Sequence, residues 1–298
     1  MKINVLAMNL LKAWIIPGIK RRRKYFPSKE PFKCFIDVPY KSDNNKYHTY
    51  DVYLAEESKR KHCCFIDIHG GCYLFGEHQD NFPYAYALLE QGFDVVLVDY
   101  EPNNGKKDIS DIVEDCIANL NHLKERLKDY DLDKDTFFMT GDSAGGHLSF
   151  LLSLAMQSEE VSKKIGIEVP NFDIKGTVIA CPVYNFEDLG DGVLTNGVLK
   201  KMFGPKFNDK EHRGKYSPHH YSSYNRLPLF LSTCKNDFIR TESLALYGDM
   251  KDKKDFVFLD IESDDKNVDH VHNIVKIDLP ESIRVNNAIG EFADKYNK

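Results

Sequence analysis

Apolar residues along this chain fall into short unbroken runs, separated by longer stretches with a helical period. The runs are 65–69, 94–99 (DVVLVD), 136–140 (TFFMT), 176–181 (GTVIAC), 229–233 (LFLST) and 256–261 (FVFLDI). Continuous apolar runs of this length predict strands covered on both faces. Residues 32–39 and 47–55 read as two earlier strands. Helical spacing appears over 80–91, 108–128, 144–156, 241–251 and 281–296. It is clearest where Ile109, Ile112, Val113, Cys116, Leu120, Leu123 and Leu127 share one face. Strand and helix in alternation predict an α/β fold, with a doubly wound and mostly parallel sheet of about eight strands and helices on both faces.

Two regions break the rhythm. Residues 184–226 hold no clear strand and many Gly, Asn, Tyr and His, which is long for a loop. They are expected to form an inserted cap over the carboxyl edge of the sheet, where ligands bind in open α/β folds. Residues 1–28 are expected to add a second cap element. Their apolar run is interrupted by Asn4, Asn9 and Lys12, ended by Pro17-Gly18 and followed by Arg21, Arg22, Arg23 and Lys24. That run is short for a spanning helix, and its positive charge follows rather than precedes the apolar part, unlike a signal peptide. A helix packed on the body of the fold is the favoured reading. Peripheral membrane contact through the apolar face and basic cluster is the alternative. No repeat or linker divides residues 1–298, so a single domain is expected.

Composition narrows the function. With 42% hydrophobic and 29% charged residues, 298 positions suffice for one large core. A net charge of −6 argues against nucleic acid as a partner. Seven cysteines include no CxxC pair, and Cys63, Cys64, Cys181 and Cys234 lie in buried-strand runs. These features predict free thiols, a cytoplasmic location, and neither a metal site nor a cofactor.

The chemistry concentrates at Gly141-Asp142-Ser143-Ala144-Gly145, a G-x-S-x-G run between a strand and a helix. The glycines let a sharp turn lift the serine hydroxyl clear of the sheet, at a helix N-terminus that favours developing negative charge. Upstream, His69-Gly70-Gly71-Cys72 follows a strand. Small residues there let backbone N–H groups face a cavity, as an oxyanion requires. Gly70 and Gly71 are the donor candidates on this loop, with Ala144 as the third. His69 is expected to brace the loop, and Asp142 to bond structural neighbours. His62, His78, His122 and His147 show no ligand spacing. Tyr184, Tyr216, Tyr221 and Tyr224 fit either a substrate pocket or packing.

In His69-Gly70-Gly71 and the elbow with its following Gly146, the chain resembles the hormone-sensitive-lipase-like carboxylesterases and lipases of the α/β-hydrolase fold. The resemblance runs from about residue 45 to the end. Cys72 stands where that family has a third glycine, and Glu101-Pro102-Asn103-Asn104 replaces its usual Arg-Leu-Ala-Pro-Glu. The order Ser, acid, His in this fold places the acid after the strand at 229–233, where Asp237 resembles the family's acid. Two histidines, His270 and His272, follow the last strand, and the residues alone do not separate them. The resemblance implies His270 as base, leaving His272 as the alternative. It implies hydrolysis of small-molecule esters with short-to-medium acyl groups. An amidase or peptidase on the same triad is the main alternative. A non-catalytic ligand-binding homologue is disfavoured because Ser, Asp and His are all present.

Overall fold

The computed structural model describes residues 26–103, 107–187 and 193–297. The strands are β1 (Lys33–Pro39), β2 (Thr49–Leu54), β3 (Cys63–Ile68), β4 (Asp94–Val98), β5 (Thr136–Asp142), β6 (Ile174–Ala180), β7 (Leu229–Cys234) and β8 (Phe256–Ile261). The helices are α1 (Phe82–Leu89), α2 (Ile109–Glu125), α3 (Ala144–Gln157), α4 (Glu159–Ile165), α5 (Val193–Phe203), α6 (Lys210–Lys215), α7 (Arg240–Met250), α8 (His272–Val275) and α9 (Pro280–Tyr296).

One sheet holds all eight strands in the order β1-β2-β4-β3-β5-β6-β7-β8. β1 and β2 pair antiparallel, β2 meets β4 antiparallel, and all later pairings are parallel. This is the α/β-hydrolase fold. The apolar runs are unbroken because each face of the sheet has its own core. Along β3 and β4, Cys64, Ile66, Val96 and Val98 enter one core, and Phe65, Val95 and Leu97 enter the other. The first core is closed by α2 and α3. In α2, Ile109, Ile112, Val113, Cys116, Leu120 and Leu123 are all buried. Asp108 caps that helix by accepting from the Ser110 N–H, 3.1 Å away. The second core is closed by α1 and α9, through Leu88, Val285, Ile289 and Phe292.

The chain leaves β3 toward β4 on one side, then returns to β5 on the other. The strand order therefore reverses between β3 and β5, and a crevice opens at their carboxyl ends. The His69 loop and Ser143 occupy that crevice. The region expected as a cap carries α5, α6 and a helical turn over Pro218–Tyr224. Its Tyr184, Phe186, Met202, Phe203, Tyr216 and Tyr221 are buried in the first core. Three of the four tyrosines that fitted either a pocket or packing are thus packing residues. The expected N-terminal cap or membrane-contact element lies almost wholly outside the described residues. Among the described residues, no helix is long and apolar enough to cross a membrane. All seven cysteines carry free thiols, and Cys63, Cys64, Cys181 and Cys234 are buried.

Candidate active site

Ser143 sits between β5 and α3 with φ 52° and ψ −116°. A non-glycine residue held there stores about 1–3 kcal/mol of backbone strain. The surroundings enforce it. A Cβ on Gly145 would collide with the carbonyl oxygens of Ile68 and His69, and one on Gly141 with the Ile68 and Gly145 oxygens. The Ser143 N–H donates to the Ala180 oxygen at 2.8 Å, tying the elbow to the end of β6. Ala144 opens α3, and its N–H has no protein acceptor among the described residues.

The glycine loop faces the elbow, and its backbone N–H groups differ in what they bond. The Gly70 N–H is already used: it donates to Asp142 Oδ1 at 2.9 Å. Among the described residues, the N–H groups of Gly71, Cys72 and Tyr73 on this loop have no protein acceptor. Gly71, Cys72 and Tyr73 all have positive φ, at 113°, 53° and 63°. The turn closes on the Gly71 oxygen, which accepts from the Leu74 and Phe75 N–H groups. Burial pushes the Cys72 thiol up to about 11, so it is protonated at neutral pH and is no rival nucleophile.

A buried polar layer holds this loop from below. Asp142 also accepts from the Asn81 side-chain amide at 2.8 Å, and the same amide donates to Asp67 at 2.8 Å. Burial raises the pKa of both carboxyls. His69 stacks on Tyr100 at 4.3 Å and pairs with Asp99 at 2.9 Å. The Tyr100 hydroxyl donates to the His69 oxygen at 3.1 Å. The second oxygen of Asp99 takes His78 Nδ1 at 2.9 Å, and His78 Nε2 lies 3.1 Å from Asp51. Burial alone would lower His78, but the carboxylates of Asp51 and Asp99 against its two ring nitrogens outweigh this and raise it to about 10. His78 was one of four histidines with no visible purpose in the sequence.

Asp237 follows β7 and is buried. His270 Nδ1 donates to its Oδ1 at 2.7 Å. The Ile239 N–H reaches the same oxygen at 3.0 Å, and the Thr233 hydroxyl donates to Oδ2 at 2.8 Å. Burial opposes ionisation, yet the His270 hydrogen bond and the other donors hold the Asp237 pKa below its ordinary value. Cys181, next to the Ala180 that receives the Ser143 N–H, brings its thiol within 4.8 Å of ligand atoms of both Asp237 and His270. Ser143, Asp237 and His270 thus follow the carboxyl ends of the parallel strands β5, β7 and β8. The other candidate, His272, turns away: its Nδ1 bonds the Ser282 hydroxyl of α9 at 2.8 Å, and burial lowers its pKa. Thr233, Cys181 and Asn81 escaped the sequence reading because no local pattern marks them. Cys72 carried a signal, a side chain at a glycine position.

Two donor clusters, Cys181/Asp237/His270 and Asp37/Asp51/His78, have metal-compatible spacing. In each, the histidine already lies within hydrogen-bonding distance of a carboxylate.

Known proteins share this fold. The fold closely follows esterase B from Lactobacillus rhamnosis, solved with a tributyrin phosphonate, at TM-score 0.86 and 22% identity. That match covers 100% of this chain and 96% of the other. A bacterial heroin esterase aligns at TM-score 0.69 and 15% identity, over 97% of this chain and 90% of its own. A probable isoprenylcysteine alpha-carbonyl methylesterase from Oryza sativa subsp. japonica is 25% identical over 168 residues. That segment is 56% of this chain and 40% of the rice protein, so the chain spans well under two thirds of that relative. Residues 50–245, which include Ser143 and Asp237, match the BD-FAE family. The chain belongs to the BD-FAE family of α/β-hydrolase esterase domains.

Proposed function

We propose that this chain is a carboxylesterase that cleaves small-molecule esters through an acyl-enzyme on Ser143. The observation that carries this reading is the 2.7 Å hydrogen bond from His270 to Asp237, past the same carboxyl ends of the parallel strands as the strained Ser143. His270 takes the Ser143 proton as the hydroxyl attacks the ester carbonyl. Asp237, kept ionised by its donors, fixes the imidazole tautomer and stabilises its charged form. The oxyanion is received by the N–H groups of Gly71, Cys72 and Ala144, since that of Gly70 serves Asp142. His270 then protonates the leaving alcohol, and water releases the acid by the same route. Short-to-medium acyl groups remain the expectation. The seven free thiols suit a reducing, cytoplasmic setting.

Ser143→Ala is expected to reduce turnover of p-nitrophenyl butyrate by about 10⁴-fold or more and to abolish labelling by a fluorophosphonate. Retained turnover in that variant, with the fold intact by circular dichroism, refutes the assignment.

A further inference from the structure

Phe238 stands directly after the proposed acid and is 73% exposed, whereas the other exposed large apolar residues described lie between 37% and 48%. It joins none of the hydrophobic clusters. Its backbone is nonetheless fixed. On one side the Asp237 N–H donates to the Cys234 oxygen at 3.1 Å, and on the other the Arg240 N–H donates to the Asp237 oxygen at 3.2 Å. The ring lies against the His270 imidazole, with centroids 4.3 Å apart and planes at 51°. A large apolar ring held in water beside the proposed base is placed to meet substrate.

Which part of the substrate it meets follows from the chemistry. The general acid must reach the leaving oxygen within hydrogen-bond distance. The alcohol half of the ester therefore passes along the imidazole, where Phe238 stands. Nearby cations do not offer free charge to this face: Lys235 pairs with Asp264, and Arg240 with Asp260 and Glu262. Resting on the esterase reading above, we propose that Phe238 is a specificity residue for the alcohol side, selecting esters whose leaving alcohol carries an apolar, ring-sized group. It supplies a stacking face and leaves the acyl side unaffected.

The test compares kcat/KM, which reports acylation, for wild type, Phe238→Leu and Phe238→Ala. The substrates are methyl and benzyl butyrate, then benzyl acetate and benzyl hexanoate. Phe238→Ala is expected to lose about 3- to 10-fold on the benzyl esters, the range of a lost aromatic contact. The loss on methyl butyrate is expected to stay under about 2-fold, and the benzyl loss to be the same at every acyl length. Phe238→Leu should keep part of the preference. Equal losses on methyl and benzyl butyrate overturn the proposal, because Phe238 then acts only through His270. A loss that follows acyl length overturns it too. If wild type neither turns over any ester nor takes a fluorophosphonate, the esterase reading fails and the proposal falls with it. An active, labelled wild type beside an indifferent Phe238→Ala sinks the proposal alone.

Discussion

The two halves of this site are built on opposite plans. The glycine loop rests on sealed charge: His69 and His78 share Asp99, His78 also meets Asp51, and Asn81 joins Asp67 to Asp142. The acid–base half sits on two loops after β7 and β8. There His270 keeps one carboxylate partner, and its Nε2 has no protein partner among the described residues. The difference matches the work proposed for each. Oxyanion donors serve by holding still while charge develops before them. A general base must gain and lose a proton in each half of the turnover. Carboxylates on both ring nitrogens suit His78 to a fixed positive charge and would disable His270.

The largest effect expected from this contrast separates the two C-terminal histidines. His270→Ala should lower kcat/KM for p-nitrophenyl butyrate by about 10⁴-fold, while the protein stays folded at assay temperature. His272→Ala should act mainly on stability. Activity stays within about tenfold of wild type, and the midpoint falls because a buried bond to Ser282 is lost. Paired measurements of activity and thermal melting decide this. A folded but inactive His272→Ala would transfer the base to the other histidine.

Next comes the sealed half. Asp99→Asn removes the charge that two buried histidines face, and it should destabilise the protein by about 3–5 kcal/mol in chemical denaturation. A pH signature accompanies it. The folded pKa of His78 is raised from 6.5 to about 10. Its contribution is therefore complete below about pH 6.5 and is lost as pH rises through 10. The Asp51 and Asp99 pKa values are lowered from 3.8, so their contribution is present above that value and lost in acid. Wild-type stability should thus decline between pH 7 and 10, and Asp99→Asn should flatten that decline. A wild-type melting temperature that stays constant over this range would contradict a protonated His78.

The same contrast shows what a sequence can tell. The central strands were readable because both faces of the sheet are buried there, so Val95 to Val98 leave no polar gap. The elbow was readable because only glycine clears the Ile68 and His69 carbonyls at Gly145. Both are local demands. The support beneath the loop is not local: the Gly70 N–H finds Asp142 72 positions away, and Asn81 reaches the same carboxylate across 61. Nothing in the sequence around Gly70 reveals that its N–H already has an acceptor, which is why the proposed oxyanion pair lies one residue on from the expected one. His78 was opaque for the same reason, since Asp51 lies within β2 and Asp99 follows β4.

The smallest expected effect tests whether the loop depends on its own third residue or on the layer beneath. Cys72 adopts φ 53°, which costs a residue with a Cβ about 1–2 kcal/mol. Glycine removes that strain but gives back about 0.4–1 kcal/mol through a freer unfolded chain. It also gives up the thiol's contact with the small cluster of Leu74, Phe75 and Val198. These terms nearly cancel, so Cys72→Gly should shift stability by no more than about 1 kcal/mol. The proposed donor at this position is backbone, and Asp142, Asp99 and Tyr100 hold the loop whatever the side chain. Activity on p-nitrophenyl butyrate should therefore remain within about 3-fold of wild type. A loss of tenfold or more, at unchanged stability, would mean that the thiol shapes the site and that the buried layer alone does not set the loop.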